Sequence, residues 1–312
     1  MHIILIYHIM PEICEVVLTG QALFDKLQNK KLLSIEFLNG RYVKKPFDGY
    51  EQMNENIKNN LILKSIETKG KFLWFTFSDS QNNNSYLLNT FGLSGKWGFN
   101  AKDNANIQFN FEGITAYFLD QRNFGTIEYS INGLSVGNKL NKLAPDLLQE
   151  TYTPKMFAKW FTSFENKKKN KDKKIIKVLM EQNKATGIGS GLGNYLVPEI
   201  LYQTKISPHR LIKDITRDER LLLGQNIKNI LKQCYVYNKS GYVEYLDGFI
   251  DSHYDGIKSG KYSDYHSDVP YINNNPLIFN VYRKKKDLLG NEVIADKIIS
   301  GRTAYWCPTI QK

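Results

Sequence analysis

Residues 187–201 read GIGSGLGNYLVPEIL, a glycine-rich turn that runs directly into a helix. The first backbone N–H groups of a helix have no intrahelical partners, and in such a turn they can bind a phosphate group. A tight connection between two helices would contain the same glycines. The segment therefore predicts either an anion-binding helix start or an ordinary interhelical turn.

Helical patterns surround this turn, whereas the first half of the chain has the short apolar runs of β-strands. Turn signals such as Asn39-Gly40 and Glu112-Gly113 separate the runs and favour an antiparallel sandwich or a flattened barrel. An amphipathic helix is expected before them, over residues 11–28. The strand-like runs are LLSIEFL, NLILKSIET, KFLWFTFS, SYLLNTF, NIQFNF, ITAYFLD and TIEYS. The helices expected in the second half are residues 153–163, 174–184, 194–204 and 215–233.

The chain has 312 residues, more than the usual size of one domain, so two domains are expected. The change from strands to helices places the boundary within residues 136–150. Residues 236–277 are polar and aperiodic and predict a long loop. Residues 278–307 predict a β-hairpin, with Arg302 at the tip of a second turn. Its strands would be VYRKKKD and KIISGRTAYWC, on either side of Gly290-Asn291.

The formal net charge of +11 favours a polyanionic partner, of which nucleic acid is the commonest. Six lysines within Lys167–Lys174 indicate either a solvated loop or a patch that steers phosphate groups. The cysteines, at positions 14, 234 and 307, are too far apart for a short-spaced metal or redox pair, and they fit a reducing compartment. No apolar stretch is long enough for a membrane span.

Residues 10–12 read Met-Pro-Glu. If the native chain began at Met10 and lost it, Pro11 would carry a free secondary amine able to form a Schiff base, with the Glu12 carboxyl beside it for proton transfer. With residues 1–9 in place the Pro11 nitrogen is a tertiary amide and has no nucleophilic lone pair. Proline and glutamate are also an ordinary helix start. We expect residues 1–9 to be upstream codons outside the native chain.

Seven segments follow one another in a fixed order: MPEICEV, TKGKFLWF, FGLSGKW, LDQRNFG, LAPDLL, GIGSGLGNYLVPEILYQTKISPHR and GRTAYWCPTIQ. Together they resemble the formamidopyrimidine-DNA glycosylase and endonuclease VIII family of DNA repair enzymes, in the style of its eukaryotic and giant-virus endonuclease VIII-like members. The resemblance covers residues 10–312. It implies an α+β fold with an N-terminal helix, an antiparallel β-sandwich, a helix-two-turn-helix domain and a zincless-finger β-hairpin. The implied divisions are residues 10–136 for the catalytic domain, 137–150 for a linker, 151–277 for the helical domain with its long loop, and 278–312 for the finger.

The resemblance gives catalytic roles to four residues. Pro11 matches the amino-terminal nucleophile and Glu12 matches the general acid and base. Lys71 matches a lysine that resembles a phosphate and substrate clamp, and Arg302 matches the finger-tip arginine at the lesion-site phosphates. Many family members end in a four-cysteine zinc finger. Only Cys307 stands in that region, so no metal is expected.

Five further residues match DNA-contacting positions of the family. Leu93, Arg122 and Phe124 match the side chains that fill the gap left by an extruded nucleotide, although the bland interpretation of Leu93 and Phe124 is core packing. Asn194 matches an asparagine that contacts phosphate, in a turn two residues longer than a plain GxGN turn. Glu15 matches the second acid of the PExPEV pattern, in which a cysteine here replaces the usual second proline.

The function that the resemblance implies is a bifunctional DNA glycosylase and AP lyase of base-excision repair. It would remove oxidised bases, with pyrimidines favoured, through a Pro11 Schiff base followed by β,δ-elimination, as a monomer and without a cofactor. Its partners would be damaged double-stranded DNA and, as a further substrate, single-stranded DNA. Two alternatives stay open: a non-catalytic DNA-binding protein of the same fold, and an RNA-binding module that uses the helical element alone.

Overall fold

The computed structural model describes residues 11–100, 105–149, 151–245, 278–299 and 301–312, the side chains of residues 236–245 excepted. These residues form two compact units. The first is built mainly from residues 15–141. The second is built from residues 142–237 and 278–312, together with Glu12–Cys14.

Two four-stranded antiparallel sheets make up the first unit, and the α+β fold with an antiparallel sandwich is confirmed. One sheet has the strand order β1-β6-β7-β5 and the other has the order β2-β3-β4-β8. All seven predicted runs form strands, and β5 is an eighth that the sequence analysis missed. The strands are β1 Leu32–Phe37, β2 Ile62–Lys69, β3 Phe72–Ser78, β4 Asn84–Thr90, β5 Lys96–Gly98, β6 Ala105–Phe111, β7 Ile114–Leu119 and β8 Thr126–Ser130.

Aromatic side chains from both sheets meet around Trp97 in β5. Its ring centroid lies 5.1 Å from that of Phe75 in the other sheet, and 5.1 and 5.4 Å from those of Phe109 and Phe118 in its own. The indole N–H donates to Oδ1 of Asn89 at 3.1 Å, so the one polar atom of the buried ring is satisfied. This core explains why a strand of three residues holds its place.

Four helices belong mainly to the first unit. The first was predicted, but the other three were not. The fourth covers residues 137–142, which the sequence analysis assigned to a linker. Its start has a local signal: Oδ1 of Asn132 accepts the backbone N–H of Leu134 at 3.0 Å, as an N-cap side chain does. The helices are α1 Ile13–Leu27, α2 Arg41–Lys44, α3 Tyr50–Lys58 and α4 Gly133–Lys142.

The second unit contains the other four described helices, close to the predicted positions. Thr153 caps the first by accepting the N–H of Met156, and Phe157, Phe161 and Phe164 form its buried face. The second is shorter than predicted because the chain becomes extended at Glu181. The last continues past residue 235, so residues 236–245 are helical rather than part of a loop; residues 246–277 lie outside the described part. These helices are α5 Pro154–Glu165, α6 Ile175–Met180, α7 Leu196–Thr204 and α8 Arg217–Tyr245.

The C-terminal hairpin differs from its predicted form. Its paired strands are β9 Ile294–Ile299 and β10 Arg302–Trp306, whereas VYRKKKD is not a strand. The backbone N–H groups of Val281 and Tyr282 donate to the Glu199 carboxylate, and Arg283 has a φ of +56°, so this segment is not extended. The Asp287 carboxylate accepts the backbone N–H groups of Leu289 and Asn291 and closes the predicted turn around Gly290. The tip of the β9–β10 hairpin contains Gly301 and leads into Arg302, as the sequence predicts.

Glu199 in α7 anchors the segment that leads to this hairpin. It is 1% exposed. Its Oε1 accepts the backbone N–H groups of Val281 and Tyr282 at 2.9 and 2.8 Å, and its Oε2 accepts the backbone and side-chain N–H groups of Asn280 at 2.8 and 3.0 Å. Burial raises the pKa of Glu199 above the ordinary glutamate value, and the N–H donors oppose that rise.

We predict that Glu199→Gln lowers the free energy of unfolding by about 3 kcal/mol, because the new NH₂ group would face N–H donors and leave them unsatisfied in the interior. Urea unfolding followed by circular dichroism measures the change. Glu292→Gln is the matched control, since it makes the same substitution at an exposed position before β9. Equal losses in the two variants would contradict the anchoring role.

Candidate nucleic-acid interface and catalytic residues

Glu12 is bound directly to the glycine-rich turn. It is fully buried, and its Oε1 accepts the backbone N–H of Tyr195 at 3.0 Å. The next residue makes a second bond, from the N–H of Ile13 to the carbonyl oxygen of Gly191 at 3.0 Å. The structure therefore brings together two segments that the sequence analysis singled out separately.

Gly191 must be glycine for two reasons. Its φ of +112° is a conformation that side chains rarely allow, and a Cβ there would lie 2.5 Å from Cβ of Ile13. Gln182 holds the other side of the turn: its Oε1 accepts the N–H of Gly191 at 2.6 Å and its Nε2 donates to the carbonyl of Leu192 at 3.0 Å. The side chain of Gln182, which precedes the turn in the sequence, thus fixes a turn that is longer than GxGN.

Asn194 stands directly before the residue that binds Glu12. It is half-buried, and its Oδ1 is a buried atom with no hydrogen-bond partner among the described residues. Its neighbour Tyr195 is buried, with its hydroxyl 3.2 Å from Sγ of Cys234 and its ring 6.2 Å from that of Tyr282. The backbone around Asn194 is therefore fixed by a neighbouring anchor, while its own amide oxygen has no internal partner.

Arg302 belongs to the same compact unit as Glu12 and Asn194. It is exposed at the first position of β10, with Nη1 4.0 Å from Sδ of Met180 at the end of α6. Tyr305 of the same strand packs edge-on against Tyr282, with ring centroids 5.5 Å apart. The hairpin is thus packed through Tyr305 and exposes the guanidinium group of Arg302.

The first unit carries Leu93, Arg122 and Phe124 on two loops. Arg122 and Phe124 are exposed, the latter 59%, and Leu93 is half-buried. The core interpretation of Phe124 is therefore wrong. Ser94 connects the loops, because its hydroxyl donates to Oδ1 of Asp120 and accepts the backbone N–H of Arg122 at 3.1 Å.

The other predicted residues have different settings. Lys71 lies in the turn between β2 and β3, next to Gly70, and is half-buried. Glu15 is 6% exposed in the first turn of α1, a position where an acid complements the helix dipole. Within Lys167–Lys174 five of the six lysines are exposed, and burial together with the nearby Lys169 charge lowers the pKa of the sixth, Lys173. No cluster of metal-binding side chains occurs among the described residues.

Three family models match this chain in order. The N-terminal domain of formamidopyrimidine-DNA glycosylase matches residues 10–127, its H2TH domain matches residues 143–244, and its C-terminal domain matches residues 271–312. The chain belongs to the formamidopyrimidine-DNA glycosylase family. This family consists of DNA glycosylases of base-excision repair that act on oxidised bases.

Curated relatives cover nearly the whole length of this glycosylase-family chain. The formamidopyrimidine-DNA glycosylase of Mycoplasma genitalium is 27% identical, covering 97% of this chain and 96% of its own. That of Prochlorococcus marinus is 26% identical, covering 97% and 100%. Among solved structures, the Lactococcus lactis enzyme bound to DNA with an AP site has a TM-score of 0.69 at 21% identity, over 96% of this chain and 99% of its own, so it shows the same fold.

Sequence reasoning missed the residues that hold the site in shape. Gln182, Ser94 and Asp120 each act through two hydrogen bonds to backbone or side-chain atoms of the loops around the site. No periodicity or charge pattern marks such residues. The segments FGLSGKW and LDQRNFG, which contain Ser94 and Asp120, could have drawn attention to two of them.

We predict that Gly191→Ala destabilises the protein by about 2 kcal/mol more than Gly290→Ala. Both glycines have positive φ, but only Gly191 faces a close neighbour, whereas nothing lies within 4 Å of a Cβ at Gly290. Urea unfolding of the two variants isolates the clash with Ile13 from the shared backbone strain. Equal destabilisation would show that the contact between the turn and the start of α1 is not tight.

Proposed function

We propose that this protein is a bifunctional DNA glycosylase and AP lyase that uses Pro11 as its nucleophile. The observation that carries the proposal is the pair of hydrogen bonds that seats Glu12 and Ile13 on the glycine-rich turn. A chain beginning at Pro11 would thereby hold its terminal amine beside the Glu12 carboxyl, next to a helix start suited to phosphate.

The proposed chemistry needs no external redox partner. The neutral amine of Pro11 forms a bond to C1′ of the damaged nucleotide as the bond from C1′ to the base breaks, and the departing base takes up the proton that the amine loses. Glu12 protonates the sugar ring oxygen as the ring opens to the iminium. The resulting iminium acidifies the C2′ proton. Its loss expels the 3′ phosphate by β-elimination, and a second elimination expels the 5′ phosphate.

DNA contacts in this proposal follow the charges and donors described above. Arg302 pairs with lesion-site phosphates through its planar guanidinium, and Asn194 binds phosphate through its side chain. Lys71 clamps a phosphate of the same strand. The exposed lysines of the 167–174 segment add affinity that does not depend on sequence.

We infer that oxidised pyrimidines are the favoured lesions, with single-stranded DNA as a further substrate. The names of the curated relatives argue against this preference, because these proteins are formamidopyrimidine-DNA glycosylases. Solved neighbours include one bound to DNA with carbocyclic 8-oxo-G and a Lactococcus lactis enzyme bound to DNA with an oxidised pyrimidine. Both lesion classes therefore belong in the first assay. The segment expected to read the base, residues 240–275, lies almost wholly outside the described residues.

Borohydride trapping tests the nucleophile. We expect protein begun at Met10, with that methionine removed, to form a covalent adduct with a thymine-glycol or 8-oxoguanine oligonucleotide. The chain begun at Met1 should form none, because its Pro11 nitrogen is an amide. Mass spectrometry of the adduct should place the link on Pro11, and the same duplex without a lesion is the control. If neither chain traps either lesion or an abasic site, the lyase is excluded and the non-catalytic DNA-binding protein becomes the better interpretation.

Arg302 should contribute to binding as a phosphate contact. We predict that Arg302→Ala weakens binding to lesion-containing duplex about tenfold and lowers the slope of log K against log salt by about one. Arg302→Lys should recover the slope but only part of the affinity, because lysine lacks the bidentate fork. Fluorescence anisotropy at several salt concentrations measures both. Lys297→Ala, which removes an exposed charge from β9 of the same hairpin, is the control, and an equal loss there would rule out a specific contact.

A further inference from the structure

We propose that Asp120, acting through Ser94, is a positioning residue that locks the two loops bearing Leu93, Arg122 and Phe124 into one body. This inference rests on the proposed function, because it assumes that the three side chains enter the duplex. It adds that they enter as a preformed unit rather than as three independent side chains.

The carboxylate of Asp120 bridges the two loops with its two oxygens. It is 2% exposed. Oδ1 accepts the hydroxyl of Ser94, beside Leu93, and Oδ2 accepts the backbone N–H of Gly125 at 2.6 Å, directly after Phe124. A carboxylate offers a separate oxygen to each of these two donors, whereas a hydroxyl or an amide has a single oxygen for both.

Ser94 passes this constraint to Arg122. While its hydroxyl donates to Asp120, its oxygen accepts the backbone N–H of Arg122 at 3.1 Å. The base of the arginine is therefore fixed by the loop that carries Leu93. The side chain of Arg122 is exposed and can change rotamer, so the bond fixes the backbone of Arg122 but not the position of its guanidinium group.

Close packing between the loops gives a second constraint. Gly92 has a φ of +60°, and a Cβ there would lie 2.5 Å from the carbonyl carbon of Phe124 and 2.6 Å from the nitrogen of Gly125. Asn123, with a φ of +55°, accepts the backbone N–H of Arg41 at 3.2 Å through its Oδ1. The backbone on both sides of Phe124 is thus held, although its side chain is 59% exposed.

Ordering Leu93, Arg122 and Phe124 before binding should affect affinity only where the DNA has a base stack for these side chains to enter. Filling a gap in a duplex costs less when the inserted side chains are already ordered. An unpaired strand has no orphaned partner base, so its binding should depend much less on the bridge. Loss of Asp120 should therefore change the preference for damaged duplex more than it changes binding to the single strand.

The test measures binding of Asp120→Ala and Ser94→Ala to a duplex with a tetrahydrofuran abasic analogue, to the undamaged duplex and to the single strand, with 2-aminopurine opposite the analogue. We expect preference for the damaged duplex to fall about tenfold in each variant, with loss of the 2-aminopurine fluorescence change. Binding to the single strand should fall less than threefold. The effects of the two substitutions should be less than additive in the double variant, because both single variants remove the bond between Ser94 and Asp120.

Asp79→Ala is the matched control. Asp79 also closes a loop of the sandwich by accepting backbone N–H groups, those of Gln81 and Asn83, but it lies in the turn between β3 and β4. Thermal unfolding of all variants separates loss of fold from loss of position. Asp120→Asn should recover part of the preference, since its remaining oxygen can still accept from Gly125.

Three results would overturn the proposal: an unchanged preference in Asp120→Ala, equal losses on duplex and single strand, or a wild-type protein that shows no preference for the damaged duplex. None of these readouts requires catalysis. A wild-type protein with the lesion preference but no borohydride adduct would therefore refute the proposed lyase and leave the positioning role of Asp120 standing.

Discussion

The hydrogen bond from the Tyr195 N–H to Glu12 is the contact on which the proposed chemistry depends. It fixes a fully buried carboxylate, and with it the position of Pro11, to the backbone at the start of α7. Gly191 makes this approach sterically feasible, and Gln182 holds Gly191. The buried acid, the adjacent Pro11 and the helix start are therefore set by one local arrangement.

Three buried carboxylates hold parts of the chain in place by accepting backbone N–H groups. Glu12, Asp120 and Glu199 are each at most 2% exposed. Glu12 and Glu199 each accept a backbone N–H from a segment distant in sequence, whereas Asp120 accepts the backbone N–H of Gly125 in its own loop and the hydroxyl of Ser94 in another. In a chain with a net charge of +11, acids on a DNA-facing surface would repel phosphate. Inside the fold they hold backbone segments and loops in place through the N–H and O–H groups that donate to them.

The sequence predicted the strands, most helices and the order of the strand-rich and helical halves because these depend on local periodicity and composition. It did not predict β5, whose three residues are too few for a pattern and depend on the packing of Trp97. It misplaced the first strand of the hairpin because the N–H groups of Val281 and Tyr282 donate to a side chain from another helix, Glu199, and Arg283 has a positive φ. Phe124 was open to a core interpretation because hydrophobicity alone does not reveal that a loop presents a residue to solvent.

The span of the Glu12–Tyr195 contact has a consequence for biosynthesis. The two residues lie 183 positions apart in the sequence, so more than half of the chain must be synthesised before Glu12 can accept the N–H of Tyr195. Contacts of such long range also close late when a whole chain folds. A nascent chain therefore carries Glu12 without its Tyr195 partner until α7 has been made, and the buried position of the carboxylate forms only then.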